Sequence, residues 1–243
     1  MRAHCIHCAL RSLQAIRDGT LSTLAASAHE RLLGYSATAL WLCALTAGFE
    51  LYNTAVCVFI LPGGGIEFII HHALSTMLPF VSVGPYVHAY SFFFFGLANI
   101  SSVPLAAYSA CEGLMVEFPQ LKPAHTLLQA AFALLFLAIR CVAWPVISLR
   151  FWADTYLAVT LGWKTSLIAS SILLLSNLFL TGLQFLWGSK VHRKVTTALG
   201  GGSGTSAVKQ VKAASKPARV EAYPVGLGET QYSGILPTEC SLR

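Results

Sequence analysis

In this 243-residue chain, Glu67, His71, His72, Asn99, Ser102 and Arg140 have the types and positions to do chemistry in an apolar setting. Glu67 and His71 are four apart, so on a helix they share one face. His72 is turned about 100° from His71, so the pair can present two imidazoles to one cavity. A carboxylate one turn before an imidazole can orient it or raise its basicity, as acid–base sites require. The alternative is a histidine pair bonded to backbone in the headgroup zone, just after Pro62-Gly63-Gly64-Gly65. Arg140 lies about nine residues inside an apolar run, or about 13 Å at helical rise. Its planar guanidinium suits carboxylates and phosphates. It could hold a lipid headgroup or pair with Glu50 or Glu67, the pair being the first expectation.

These groups need a reason to be where they are. An ionisable side chain at the centre of a bilayer costs about 2.5 kcal/mol or more on insertion scales. Metal is not that reason. Glu67 and His71 have a workable spacing, but His88 would be the third ligand and nothing requires it to reach, while a metal site needs three or more protein ligands. His4-Cys5-Ile6-His7-Cys8 resembles metal-ligand material but lacks the second ligand pair of a structural zinc site. No metal and no cofactor is expected. The final Cys240-Ser241-Leu242-Arg243 is not a prenylation box, because Arg is not a typical last residue.

The elements that must position these residues are apolar runs. The chain is 55% hydrophobic and 11% charged, where a soluble domain carries roughly 25% charged residues. Nearly all Lys and Arg lie before Gly34 or after Gly188. Spans are expected at about 35–61, 66–83, 86–107, 124–149 and 165–187, each close to the roughly 20 residues that cross a bilayer. Residues 151–163 are apolar but too short to span alone, so they read as a re-entrant or interfacial piece or as half of a sixth helix. The fold class is therefore all-α: a multi-pass transmembrane helical bundle of about five spans, or six if that piece contributes. Residues 1–33 read as a basic N-terminal tail, 34–194 as the membrane domain, and 195–243 as a flexible polar C-terminal tail rich in Gly, Ser and Lys. The net charge of +6 sits at the ends and suits anionic lipid headgroups. No aromatic residues are interleaved with the tail's lysines, so nucleic acid is excluded as a partner.

The same residues resemble a known family. Glu67-Phe68-Ile69-Ile70-His71-His72 resembles the double-histidine helix of the TLC-domain family, which includes translocating-chain-associated proteins, longevity-assurance ceramide synthases and a ceroid-lipofuscinosis protein. Gly96-Leu97-Ala98-Asn99-Ile100-Ser101-Ser102-Val103-Pro104 resembles the polar-then-proline helix of its non-synthase members. Phe136-Leu137-Ala138-Ile139-Arg140, followed by Trp144-Pro145, resembles their arginine-bearing helix, and Asn177 to Trp187 their last span. Ceramide synthases carry acids where this chain has Asn99 and Ser102. Acyl transfer needs a base and a way to stabilise charge, and half of that apparatus is missing.

The resemblance implies a non-synthase member that binds, senses or helps remodel membrane lipids and so serves lipid homeostasis. Its cavity would be lined by His71, His72, Asn99, Ser102 and Arg140, with Glu67 behind His71. It would sit in the endoplasmic reticulum or the plasma membrane, with membrane lipids as partners and a protein partner available to the C-terminal tail. One rival is an acyl-CoA-dependent lipid acyltransferase using His71 or His72 as base. Another is a membrane chaperone or trafficking adaptor. The chain leans away from an enzyme. Expressed in cells that lack ceramide synthases, it should not restore ceramide; restored synthesis that depends on His71 and His72 would overturn that expectation.

Overall fold

The computed structural model describes residues 2–60, 66–115, 117–163 and 165–199. The expected flexible tail from 195 lies outside the described residues beyond 199. Every regular element among the described residues is helical. We number them α1 (Arg2–Arg17), α2 (Thr20–Leu24), α3 (Ala28–Leu33), α4 (Ala37–Phe59) and α5 (Ile66–Val81). Three long elements follow: α6 (His88–Leu114), α7 (Pro119–Thr160) and α8 (Leu167–Leu199).

Four of these, α4, α6, α7 and α8, are long and apolar enough to cross a membrane. The 16 residues of α5 are also apolar and reach about 24 Å at helical rise, somewhat short of the roughly 30 Å hydrocarbon core. Residues 151–163 are neither re-entrant nor a separate sixth helix. They continue the fourth span through to Thr160, making α7 42 residues long. At about 63 Å, α7 overruns the hydrocarbon core, with Lys122 near one end and Arg150 and Asp154 near the other. Large apolar side chains such as Leu127, Leu134, Ile168 and Leu175 are exposed on the outer faces. In water such a surface would be an association hazard; on helices long and apolar enough to cross a membrane it suits lipid.

Residues 2–33, expected as a tail, form three helices that pack on the bundle. Cys5, Cys8, Ser12 and Ala15 recur at three- and four-residue spacing and are all buried. Small side chains let helices approach closely. At Gly96 of α6, an added Cβ would lie 1.6 Å from the Ser12 hydroxyl oxygen. Hydropathy misses this stripe because its residues are small rather than strongly apolar. The Ser27 hydroxyl caps α3 by accepting the Glu30 N–H at 3.1 Å, with Glu30 in the third position of a capping box.

Two buried devices fix the end of the bundle near α3. Arg31 donates twice to Asp154 of α7, Nε to Oδ2 at 2.6 Å and Nη2 to Oδ1 at 2.8 Å, and once to the Ala25 carbonyl at 2.9 Å. The Tyr90 hydroxyl of α6 donates to the same carboxylate. His88, fully buried, accepts the Ser36 N–H at Nδ1 (3.0 Å), and its Nε2–H donates to the Ser82 carbonyl (3.1 Å). Its two ring nitrogens are thus spent on the entry to α4 and the exit of α5, far in role from the metal ligand considered above. Val87, just before it, is held at φ 58° with its N–H on the Leu32 carbonyl at 2.6 Å. A β-branched residue in that region costs about 1–3 kcal/mol, and the surrounding bonds hold it there.

Asp154→Leu should strand the Arg31 charge and lower stability in detergent by about 3 kcal/mol. Adding Arg31→Met should recover a large part of the loss. Equal melting temperatures for Asp154→Leu and wild type would show that the pair does not hold α3 to α7.

Candidate functional site

The bundle holds a partly open cavity of about 90 Å3. One water needs about 10–15 Å3 of such space, so the cavity has room for several waters or a small polar group. Each long helix from α4 to α8 contributes at least one polar side chain to the wall, among them Glu50, His71, Asn99, Arg140 and Gln184. Much of the remaining lining is apolar and aromatic, including Leu78, Phe94, Phe95, Trp144 and Phe151. A chamber in which polar groups converge beside apolar and aromatic walls is a usual form of a small-ligand site.

Irregular helix geometry brings four of these residues to the wall. Phe92–Gly96 and Phe136–Ala143 are π-helical, and Leu97–Ser101 is a 3-10 turn. Phe94, Phe95, Asn99 and Arg140 all lie in these stretches. Pro104 and Pro145 follow them, each lacking an N–H for the carbonyl four residues earlier and crowding it. The preceding turns relax by changing helix type, and such bulges recur at functional sites. Pro79 does the same near the end of α5, freeing the carbonyl of Ser75, another lining residue.

The double histidine divides its work. His72 Nδ1–H donates to Glu50 Oε2 at 2.6 Å, joining α5 to α4. The carboxylate has only acceptors, so the ring nitrogen carries the proton. Threonines lock both partners: Thr54 Oγ1 donates to the Glu50 carbonyl and Thr76 Oγ1 to the His72 carbonyl, each at 2.8 Å, and the two hydroxyls meet at 3.3 Å. His71 turns the other way, onto the cavity wall. Its ring meets His72 edge-on at 5.0 Å and Trp187 at 5.1 Å. Its Nδ1 is buried without a hydrogen-bond partner.

Arg140 departs from expectation. It pairs with neither Glu50 nor Glu67. Its Nε donates to the Ser101 hydroxyl at 2.9 Å and its Nη2 to the Ser102 hydroxyl at 3.2 Å. No ion pair to it exists among the described residues. A guanidinium has five N–H donors, and two of them serve neutral hydroxyls here.

Of the expected wall residues, His71, Asn99 and Arg140 line the cavity. His72 and Ser102 stand behind it, holding Glu50 and Arg140. Glu67 is half-buried one turn before His71 but does not line the cavity. Glu50, from the preceding helix, is the acid of the histidine pair instead. Asn99 does not reach the histidines; its amide donates to the Phe95 carbonyl of its own helix at 2.8 Å. The residue that sequence reasoning missed is Gln184. It is fully buried, and neither its amide nitrogen nor its amide oxygen has a partner among the described residues. Asn177, Thr181, Gln184 and Gly188 recur at helical spacing on α8. That polar stripe was the available signal.

Comparison with curated proteins and with solved structures gave no match. A family model does match: TLC domain, over residues 3–193. Its span includes α1, every cavity-lining residue named above and the whole polar face of α8, so the match covers the folded unit and the cavity together. The chain is an integral, multi-pass membrane protein of the TLC-domain family.

Proposed function

We propose that this protein binds an anionic membrane lipid by its headgroup, inside the cavity and against Arg140, and acts in lipid homeostasis as a non-synthase member of its family. The carrying observation is the state of Arg140. A guanidinium inside a bundle is expensive unless paired. Here its bonds go to Ser101 and Ser102, which bring no charge. Glu50 shares the wall, but His72 engages its carboxylate. The group that would compensate Arg140 is an anion from outside the chain. Phosphate and carboxylate fit the guanidinium fork. The aromatic and aliphatic remainder of the lining suits the start of an acyl chain. Bilayers of the endoplasmic reticulum and the plasma membrane both offer anionic lipid, and the basic residues near Lys190 would draw it toward the bundle end.

The Glu50–His72 bond gives the acyltransferase reading its one specific support, since a carboxylate-held imidazole is a common general base. The cavity argues for the binding reading. The imidazole on the wall is His71, which no carboxylate supports, whereas the supported one, His72, is not on the wall. A role as chaperone or trafficking adaptor through the C-terminal tail falls outside the described residues.

Native mass spectrometry of the protein with anionic and zwitterionic phospholipids of matched acyl chains tests the proposal. Wild type should retain the anionic lipid preferentially. Arg140→Leu should weaken that retention about ten- to hundredfold, as expected for a lost charge-assisted bond. Its melting temperature should be unchanged or raised, because an uncompensated charge has been removed. If Arg140→Leu instead lowers the melting temperature and leaves lipid retention alone, Arg140 is a structural residue and the proposal fails.

A further inference from the structure

Gln184 marks a second pole of the cavity. It lies where α7 and α8 meet: the Cys141 thiol donates to the Gln184 carbonyl at 3.6 Å. One turn on, an added Cβ at Gly188 would sit 2.4 Å from Cys141 Sγ. Cys141 directly follows Arg140, so this crossing carries the guanidinium and the amide on adjoining parts of the wall, and both line the same cavity. Next to Gln184 along α8, Trp187 packs against His71. Four buried polar atoms on these three side chains have no partner among the described residues: Gln184 Nε2 and Oε1, Trp187 Nε1 and His71 Nδ1.

Leaving a buried polar group unpaired costs about 1–3 kcal/mol. Most such groups in folded proteins have a partner, either protein or ordered water. The chemistry of these four narrows the ligand. The Gln184 amide offers two donors and an acceptor, and the Trp187 indole offers one donor only. A phosphate, a carboxylate or an ester carbonyl accepts but cannot donate, so each would leave Gln184 Oε1 bare. A hydroxyl donates one proton and accepts at two lone pairs, which matches the set. A quaternary ammonium headgroup offers no N–H or O–H at all.

We infer that Gln184, with Trp187 and His71 beside it, forms a hydroxyl-recognising subsite that selects anionic lipids whose headgroup carries a free hydroxyl next to the charged group. The inference rests on the assignment of Arg140 to the anion. Arg140 takes the phosphate; Gln184 distinguishes among phosphates by what is attached to them. The subsite also explains why an amide is kept in a helix that would pack more stably with Leu at this position. Replacing an unpaired buried polar group by an apolar one of similar shape is often neutral or stabilising, and sites are commonly held at a cost in stability.

The test uses the full chain in vesicles of phosphatidylcholine doped with one of two probes of identical acyl chains and charge. Phosphatidylglycerol carries a free diol; phosphatidylmethanol carries none. Wild type should bind phosphatidylglycerol about tenfold more tightly, the scale of one or two neutral hydrogen bonds. Gln184→Leu should bring the two affinities together while keeping phosphatidylmethanol binding intact and raising the melting temperature. Gln184→Met gives the same readout should the leucine variant fold poorly, and Trp187→Phe should lose part of the discrimination. Equal binding of the two probes by wild type, or discrimination that survives in Gln184→Leu, would overturn the subsite and leave water as the partner of Gln184. A failure of the anion assignment looks different: neither probe would bind above phosphatidylcholine, and Arg140→Leu would change nothing.

Discussion

Among the described residues, the guanidinium of Arg140 sits inside a helical bundle with its hydrogen bonds going to two serine hydroxyls. That arrangement constrains everything around it. A bilayer supplies neither water nor counter-ion at this depth, so a charge must turn inward toward protein or toward a wet chamber. The chamber exists because α6 and α7 abandon regular geometry beside it. Pro104 and Pro145 force that departure: Ser101 ends a tightened 3-10 turn beside Ser102, and Arg140 lies in a widened π-helical stretch. Helix type, proline position and the guanidinium's hydrogen bonds are therefore one feature seen at three scales.

Two buried ion pairs build the frame. Glu50 and His72 tie α4 to α5, and Arg31 and Asp154 tie α3 to α7. A buried ion pair is weak support for stability, because desolvation offsets most of its Coulombic gain. It is strong support for specificity of arrangement in this bundle, where breaking either pair leaves a lone charge among apolar neighbours. His88 adds a neutral lock between the α3–α4 and α5–α6 connections. With these positions fixed, Arg140 is left as the charge whose partner the described residues do not supply.

Much of this was legible from the residues, for identifiable reasons. Long apolar runs with terminal charge dictate a helical membrane bundle, and ionisable residues in those runs mark its interior. His71, Asn99 and Arg140 were found that way. Contacts that depend on tertiary crossing were not legible. Glu50 and His72 are 22 apart in sequence, and only the antiparallel hairpin of α4 and α5 brings them together. Glu67 was chosen as the acid because helical spacing is readable and hairpin register is not. The N-terminal segment was read as a tail because α1 packs through small residues rather than large ones. Residues 151–163 were severed from α7 because Arg150 interrupts the apolar run without interrupting the helix. Gln184 was passed over because it is uncharged and the large apolar residues around it on α8 outweigh, in hydropathy, the stripe it forms with Asn177 and Thr181.

The central claim is that an anionic headgroup completes Arg140 within this cavity. The most direct measurement is a high-resolution density map of the protein extracted with its native lipid. The account predicts headgroup density within hydrogen-bond distance of the free guanidinium nitrogen of Arg140 and reaching toward Gln184, with an acyl chain leaving past the aromatic lining. A cavity filled by water alone, or a Glu50 carboxylate that has left His72 to pair with Arg140, would contradict it.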